Sequence, residues 1–185
     1  YIYRGLRMIN WDCEARTALS NEEVMYKEEG ERSILYSVKY RVKDTPDEWV
    51  IIATQRPETI MGDTAIAVNP SDERYRHLIG KKVLVPFINR EIPVIADDYV
   101  DKVFGTGCLK VTPAHDVNDY EIGLRHNLPV IDTIHDDGTL NAKCEIPKFV
   151  GKDRFAVRKE MVKDLREAGW LVKEEEFVTR IGRSE

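Results

Sequence analysis

"ATQRPETIMGDTAIAVNP", residues 53–70, sets an arginine, a glutamate, an aspartate and three threonines between apolar runs suited to a core. The run that leads into it, "EWVIIAT" (48–54), is compact and β-branched and reads as a strand. Pro57 then fixes a local turn. Polar groups placed beside buried strands are costly unless they are hydrogen-bonded or paired. Two readings follow: Glu58 or Thr59 closes a loop while Arg56 pairs with a nearby acid, or the segment walls a polar pocket.

Working outward, "SILYSVKYRV" (33–42) alternates apolar and polar residues in parts, and "KDTPDE" joins it to the 48–54 run with turn chemistry, which predicts a hairpin. "KKVLVPFI" and "EIPVIADD", separated by Asn89 and Arg90, predict a second hairpin, with Pro86 and Pro93 at strand edges or bulges. "GCLKVT" (107–112) predicts a further strand. Asp116 is placed to cap a helix running toward Asn127, although Gly123 weakens it. Asp153 caps a clearer helix, "DRFAVRKEMVKDLREAGW", whose Phe155, Val157, Met161, Val162, Leu165 and Ala168 recur at helical steps before Gly169 stops it. The expected fold class is mixed and β-rich, a β-barrel-like core with a few peripheral α-helices, and residues 1–185 read as one domain.

The second chemical cluster is "FGTGCLKVTPAHDVND" (104–119). Lys110 and Thr112, two apart on a strand, project to one face. Asp116 and Asp119, three apart at a helix start, share a face as well, and capping alone also accounts for them. His115, Asp116 and Asp119 have the types of a metal cluster, but the other histidines stand in no ligand spacing, so no metal site is expected. No G-x-S-x-G elbow supplies a serine nucleophile. The basic residues before and on the last helix, Lys143 to Arg166, are interleaved with Glu160, Asp164 and Glu167 and read as a solvated face.

Composition narrows the class. No apolar run approaches the ~20 residues of a membrane span. The net charge of −5 argues against a general nucleic-acid coat, so any nucleic-acid contact should be local. Cys13, Cys108 and Cys144 are far apart and odd in number, which points to a reducing compartment and a cytoplasmic location. The opening residues carry no initiator Met and no signal peptide, so the chain reads as a piece of something larger.

"TQRPETIMGDTAIAVNP", "GKKVLVPFINREIPVIADDYVD" and "FGTGCLKVTPAHDVNDYEIGLRHNLPV", in this order, resemble the editing domain inserted into the catalytic domain of valyl-tRNA synthetases, which are class I synthetases. The resemblance covers essentially the whole chain. "RPETIMGDT" is the valyl form rather than the leucyl or isoleucyl one, and Gln55 stands where threonine is more usual. Residues 1–20 and 178–185 would then be connections to the catalytic domain.

The resemblance implies hydrolysis of threonine misattached to the valine tRNA, with the tRNA 3′ end and the remainder of the synthetase as partners. Asp119 would take the substrate ammonium. Lys110, Thr112 and Asp116 would line the hydroxyl-reading and water-positioning part, with Arg56 and Thr59 opposite and Phe104 flanking the terminal adenosine. No cofactor is implied for this domain; ATP and Mg would serve the parent enzyme. The alternative is a noncatalytic module that binds the acceptor end of tRNA.

Overall fold

The computed structural model describes residues 7–184; the extreme ends of the two expected connections, residues 1–6 and residue 185, lie outside the described residues. The chain begins with β1 (Asn10–Asp12), β2 (Thr17–Leu19), β3 (Val24–Met25) and the long β4 (Glu31–Val42). There follow β5 (Trp49–Thr54), β6 (Ala65–Val68), β7 (Lys82–Leu84), β8 (Glu91–Ala96), β9 (Cys108–Val111), α1 (Val117–His126), α2 (Arg154–Glu167), β10 (Leu171–Thr179) and β11 (Arg183–Ser184). β1 and β2 form a small antiparallel ribbon, and β11 pairs with β3 through Arg183 opposite Met25.

The main sheet runs β10-β4-β7-β8-β6-β9, with β5 on the other edge of β4. All neighbours are antiparallel except β6 and β8. β9 comes back against β5, so the sheet curls into a nearly closed barrel. Val38, Tyr40, Val50, Ile52, Ile66 and Val83 fill its interior. This is the expected β-rich, barrel-like class, with two α-helices packed on it among the described residues.

Both expected hairpins form. In the second, however, the connection is wider than Asn89 and Arg90: β7 ends at Leu84, and Val85 and Arg90 close the turn, with the Val85 N–H donating to the Arg90 carbonyl at 2.9 Å. Phe87 and Asn89 adopt left-handed backbone there. Pro93 lies inside β8, which has neighbours on both sides. It is tolerated because Val94 donates its N–H to Lys81 on the β7 side, so position 93 faces the other edge, where β6 pairs only from Val94 onward.

The Asp116 carboxylate caps α1 by accepting the N–H groups of Asn118 and Asp119, and Asp153 caps α2 in the same way through Phe155 and Ala156. α2 buries Val157, Met161, Val162 and Leu165. Phe155 and Ala168 are exposed rather than in the core; the Phe155 ring is covered by the guanidinium groups of Arg154 and Arg158, at 4.4 and 5.2 Å from its centroid. α1 sets Ile122 against Ala65, Ala67, Val100 and Val111.

Gly123 turns out to serve a close approach. A Cβ there would stand 3.0 and 3.1 Å from the ring carbons of Pro113, the residue that turns the chain from β9 toward α1. Gly123→Ala is therefore expected to lower stability by ~1–3 kcal/mol in chemical denaturation, outweighing the ~1 kcal/mol that alanine contributes within a helix. A net gain would show that α1 can shift off Pro113 freely.

Candidate active site

The strand β5 delivers the chain to Pro57, and residues Pro57–Gly62 wind into a short 3-10 turn that is buried throughout. β6 then pairs with β9, which brings the end of this turn beside Lys110 and Thr112. Lys110 Nζ donates to Thr59 Oγ1 and to Asp63 Oδ1, both at 2.9 Å, and to Thr112 Oγ1. Its three protons are thus all directed at protein acceptors. Thr112 Oγ1 in turn donates to Asp63 Oδ1 at 2.6 Å, and Thr59 Oγ1 donates to the Arg56 carbonyl at 2.9 Å. Tyr40, reaching up from β4, donates its hydroxyl to Asp63 Oδ2 at 2.5 Å. Burial, and the adjacent Asp63 carboxylate, hold the Tyr40 phenol well above its ordinary pKa, so it remains a donor.

Asp119, on the first turn of α1, is buried, and its Oδ2 accepts the Thr112 N–H at 2.9 Å. Burial pushes its carboxyl up to about 6, against the pull of the Lys110 charge and the Thr112 hydrogen bond. Asp116 is exposed, with Oδ1 committed to the α1 cap. The His115 ring meets Thr133, whose backbone N–H donates to Nε2 at 3.2 Å, with Asp132 Oδ1 3.8 Å from the same nitrogen. Among the described residues no group of three His, Cys, Asp or Glu side chains is arranged to hold a metal ion.

Arg56 is positioned from two sides. Its Nη1 donates to the His115 carbonyl at 2.6 Å, and its Nε lies 3.6 Å from Glu58. Glu58 is wholly buried and is gripped by Arg158 of α2 through two hydrogen bonds of 2.8 and 2.6 Å. The pair spans one hundred residues of sequence. Arg158 belonged to the basic face that read as solvated; it is instead turned inward against a buried carboxylate.

Arg56, Thr59, Phe104, Lys110, Thr112, Asp116 and Asp119 all border one cavity of about 1210 Å³. Thr59, Lys110 and Thr112 carry the buried network to its wall, where Gln55 also stands. Phe104 stands half exposed on the wall, in edge contact with Phe177 of β10 at 5.8 Å. Sequence reasoning counted Asp63 in the polar run after β5 without giving it a role, and did not place Tyr40 or Arg158 in the site. Asp63 carried a local signal, a carboxylate directly before the apolar run of β6; Tyr40 and Arg158 are distant in sequence and carried none.

A family model described as "Leucyl-tRNA synthetase, editing domain" matches residues 73–155. Across essentially the full chain, the valine–tRNA ligase of Porphyromonas gingivalis is 55% identical over 184 residues and that of Parabacteroides distasonis 57% over 184. The chain belongs to the valine–tRNA ligase family, as its editing domain. It covers 20% of the length of each of these two ligases. The ligase of Listeria monocytogenes is 51% identical over 185 residues. Among solved structures, LeuRS of Agrobacterium radiobacter K84, in a ternary complex with tRNA and LeuAMS, matches with a TM-score of 0.58 at 20% identity, over 84% of this chain and 21% of that one. That likeness speaks to the fold. The leucyl-type match takes in Lys110 to Asp119 of this editing domain but not the Arg56–Asp63 segment.

Removing one partner of the Glu58–Arg158 pair strands a buried charge. Arg158→Met is expected to cost ~3–5 kcal/mol in denaturant unfolding, and adding Glu58→Gln should recover much of it; a loss under ~1 kcal/mol would mean that water reaches Glu58. Asp119 behaves oppositely to a paired carboxylate. Its folded value of about 6 lies above the ordinary 3.8, so the folded chain holds the extra proton and stability falls as pH rises through that window, then levels off. Asp119→Asn, which can still accept the Thr112 N–H, should therefore be more stable than the parent at pH 7.5 by ~1–3 kcal/mol. The difference should vanish near pH 4.

Proposed function

We propose that this editing domain hydrolyses the ester that joins a misattached threonine to the 3′ end of the valine tRNA. The observation that carries the reading is the convergence of polar side chains from the Arg56–Thr59 turn and the Lys110–Asp119 segment on one cavity. Pockets for a single small ligand run ~300–1,000 Å³, so about 1210 Å³ offers room for an aminoacyl group together with a nucleoside. Valine and threonine are near-isosteric, and this pair is itself the standard illustration of why an apolar pocket cannot strongly reject an added hydroxyl. A hydrophilic site sorts in the other direction, because valine would leave its polar groups unpaired at ~1–3 kcal/mol each.

In this reading Asp119 holds the substrate ammonium with the oxygen that Thr112 does not occupy, and binding the cation favours its ionised form. Arg56, braced by Glu58 and the His115 carbonyl, forms the opposite wall. Lys110 sets the polarity of Thr59 and Thr112 by filling one acceptor site on each, and Asp116 holds the start of α1 in place. Phe104 flanks the terminal adenine, as aromatic side chains do with unpaired bases. An oriented water adds to the ester carbonyl, the ribose oxygen departs with a proton, and threonine leaves as its carboxylate. A hydroxyl of the terminal ribose assists, so no protein nucleophile is required. The domain works without a metal or organic cofactor, and ATP and Mg belong to the parent enzyme, acting in the cytoplasm.

The reading is tested in the full-length ligase carrying this domain, with threonyl- and valyl-tRNA side by side. Threonyl ester should be cleared selectively, and Asp119→Ala should lower kcat/KM for it by about 10- to 100-fold. Equal hydrolysis of both esters would remove the selectivity argument, and capture without release would mark a noncatalytic acceptor-end module. Because ammonium binding needs ionised Asp119, kcat/KM should fall on the acid side of about pH 6. His115, pushed down to about 3, cannot be the source of that limb.

A further inference from the structure

A second, smaller pocket lies on the side of the β4–β5 hairpin turned away from the barrel interior. It measures about 110 Å³ and is bordered by Lys39, Arg41, Trp49, Pro86, Asn89 and Trp170. Strand alternation sets Lys39, Arg41 and Trp49 on this side, because Val38, Tyr40, Val42 and Val50 fill the barrel. Arg41 stands opposite Trp49 in the ladder, and the Lys39 N–H donates to the Trp170 carbonyl at 2.9 Å, which ties the second indole to the same strand. Phe87 packs on Trp170, with 5.0 Å between ring centroids. The Trp49 and Trp170 rings lie 6.5 Å apart with their planes 44° apart, so they form two walls of a wedge rather than a closed stack.

The polar atoms at this pocket are unengaged. Among the described residues no carboxylate pairs with Lys39 or Arg41, and no hydrogen bond takes up the Asn89 amide or either indole N–H; the Lys39 ammonium meets only the Trp49 ring, 5.8 Å from its centroid. Around the pocket, Glu48 is held by Lys81 and His77 and Glu91 by Lys43 and Lys82, and neither Asp44 nor Asp47 of the intervening turn borders it. Two free cations, two indole faces and a free amide suit an anion joined to a flat ring with polar edges. An apolar side chain would leave the cations unmatched, and a bare anion would leave the indoles uncovered. Whole ligands fill ~300 Å³ or more, so about 110 Å³ takes one ring of a chain that continues over the surface.

We propose that this pocket holds an unpaired nucleotide of the tRNA other than the terminal adenosine: its base enters the wedge of Trp49 and Trp170, Asn89 meets the base edge, and Lys39 and Arg41 take the adjoining phosphates. The assignment rests on the reading of this chain as a domain that receives a tRNA end, and adds to it a hold outside the large cavity. Trp49, Ile51 and Ala53 alternate along one face of β5, and Ala53 borders the large cavity. Roughly 13 Å of strand separates Trp49 from Ala53, so an RNA whose end lies in the cavity has the pocket within reach. With a net charge of −5 the chain has no general attraction for RNA, and local contacts of this kind must supply it.

The test uses the full-length ligase and its Kd for uncharged valine tRNA over a series of salt concentrations. Lys39→Gln combined with Arg41→Gln should flatten the slope of log Kd against log salt by about 1 to 2. Trp49→Ala should weaken binding about 5-fold or more at every salt concentration, and Trp49→Phe should restore most of it. Neither change should alter the rate of threonyl ester release at saturating tRNA, since none of these side chains borders the large cavity. Parent-like Kd and slope in both variants would overturn the site, and a lowered unfolding temperature alongside them would mark the pocket as a contact with the rest of the ligase. If the parent binds the tRNA but clears neither ester, the deacylase reading falls and the binding data still decide this site. Should Trp49→Ala fail to fold, the slope of the exposed Lys39 and Arg41 double variant decides alone.

Discussion

A lysine and an aspartate are held out of water against one another: Lys110 on β9 and Asp63 at the entrance to β6. Burying two charges costs more than their attraction returns unless the remaining protons and lone pairs are also satisfied. Here they are. Thr59, Thr112 and Tyr40 complete the set, each from a different segment, so the network can exist only when β4, the Pro57–Gly62 turn, β6 and β9 are all in place. A polar network of this kind rewards a single arrangement and penalises near misses. The site is therefore specified by the same contacts that join the barrel's strands.

A second charged lock ties the helix layer to the cavity. Glu58 has no access to water and depends on Arg158, while Arg56 leans on Glu58 from the cavity side. α2 thereby does more than cover apolar surface with Val157, Met161 and Leu165. It fixes the carboxylate that orients the arginine wall. Arg56 also reaches the carbonyl of His115, so the turn after β5 and the segment before α1 move as one unit.

Asp119 stands apart from this locking. Its carboxyl is buried with one oxygen satisfied and remains poised at about 6, which costs stability at neutral pH. A group kept in that condition gains when a cation arrives. Giving up stability to keep a buried, half-satisfied carboxyl is a common compromise at binding sites.

Periodicity and local chemistry were enough for the strands β4, β5 and β9, both helix caps and the general β-rich class, because alternation, turn residues and Asx caps are short-range effects. The ordered motifs likewise carried the family and seven of the side chains that border the cavity. Three things were decided only by the tertiary structure. The direction in which Arg158 faces depended on where Glu58 came to rest, one hundred residues away. Asp116 and Asp119, alike in sequence, became an exposed cap and a buried carboxyl because one precedes the helix and the other faces β9. The hydroxyl proton of Thr112 went to Asp63, a partner that no spacing rule connects to it. Sequence can announce which polar groups must be buried, but which donor meets which acceptor is settled only when non-local strands close the cavity around them.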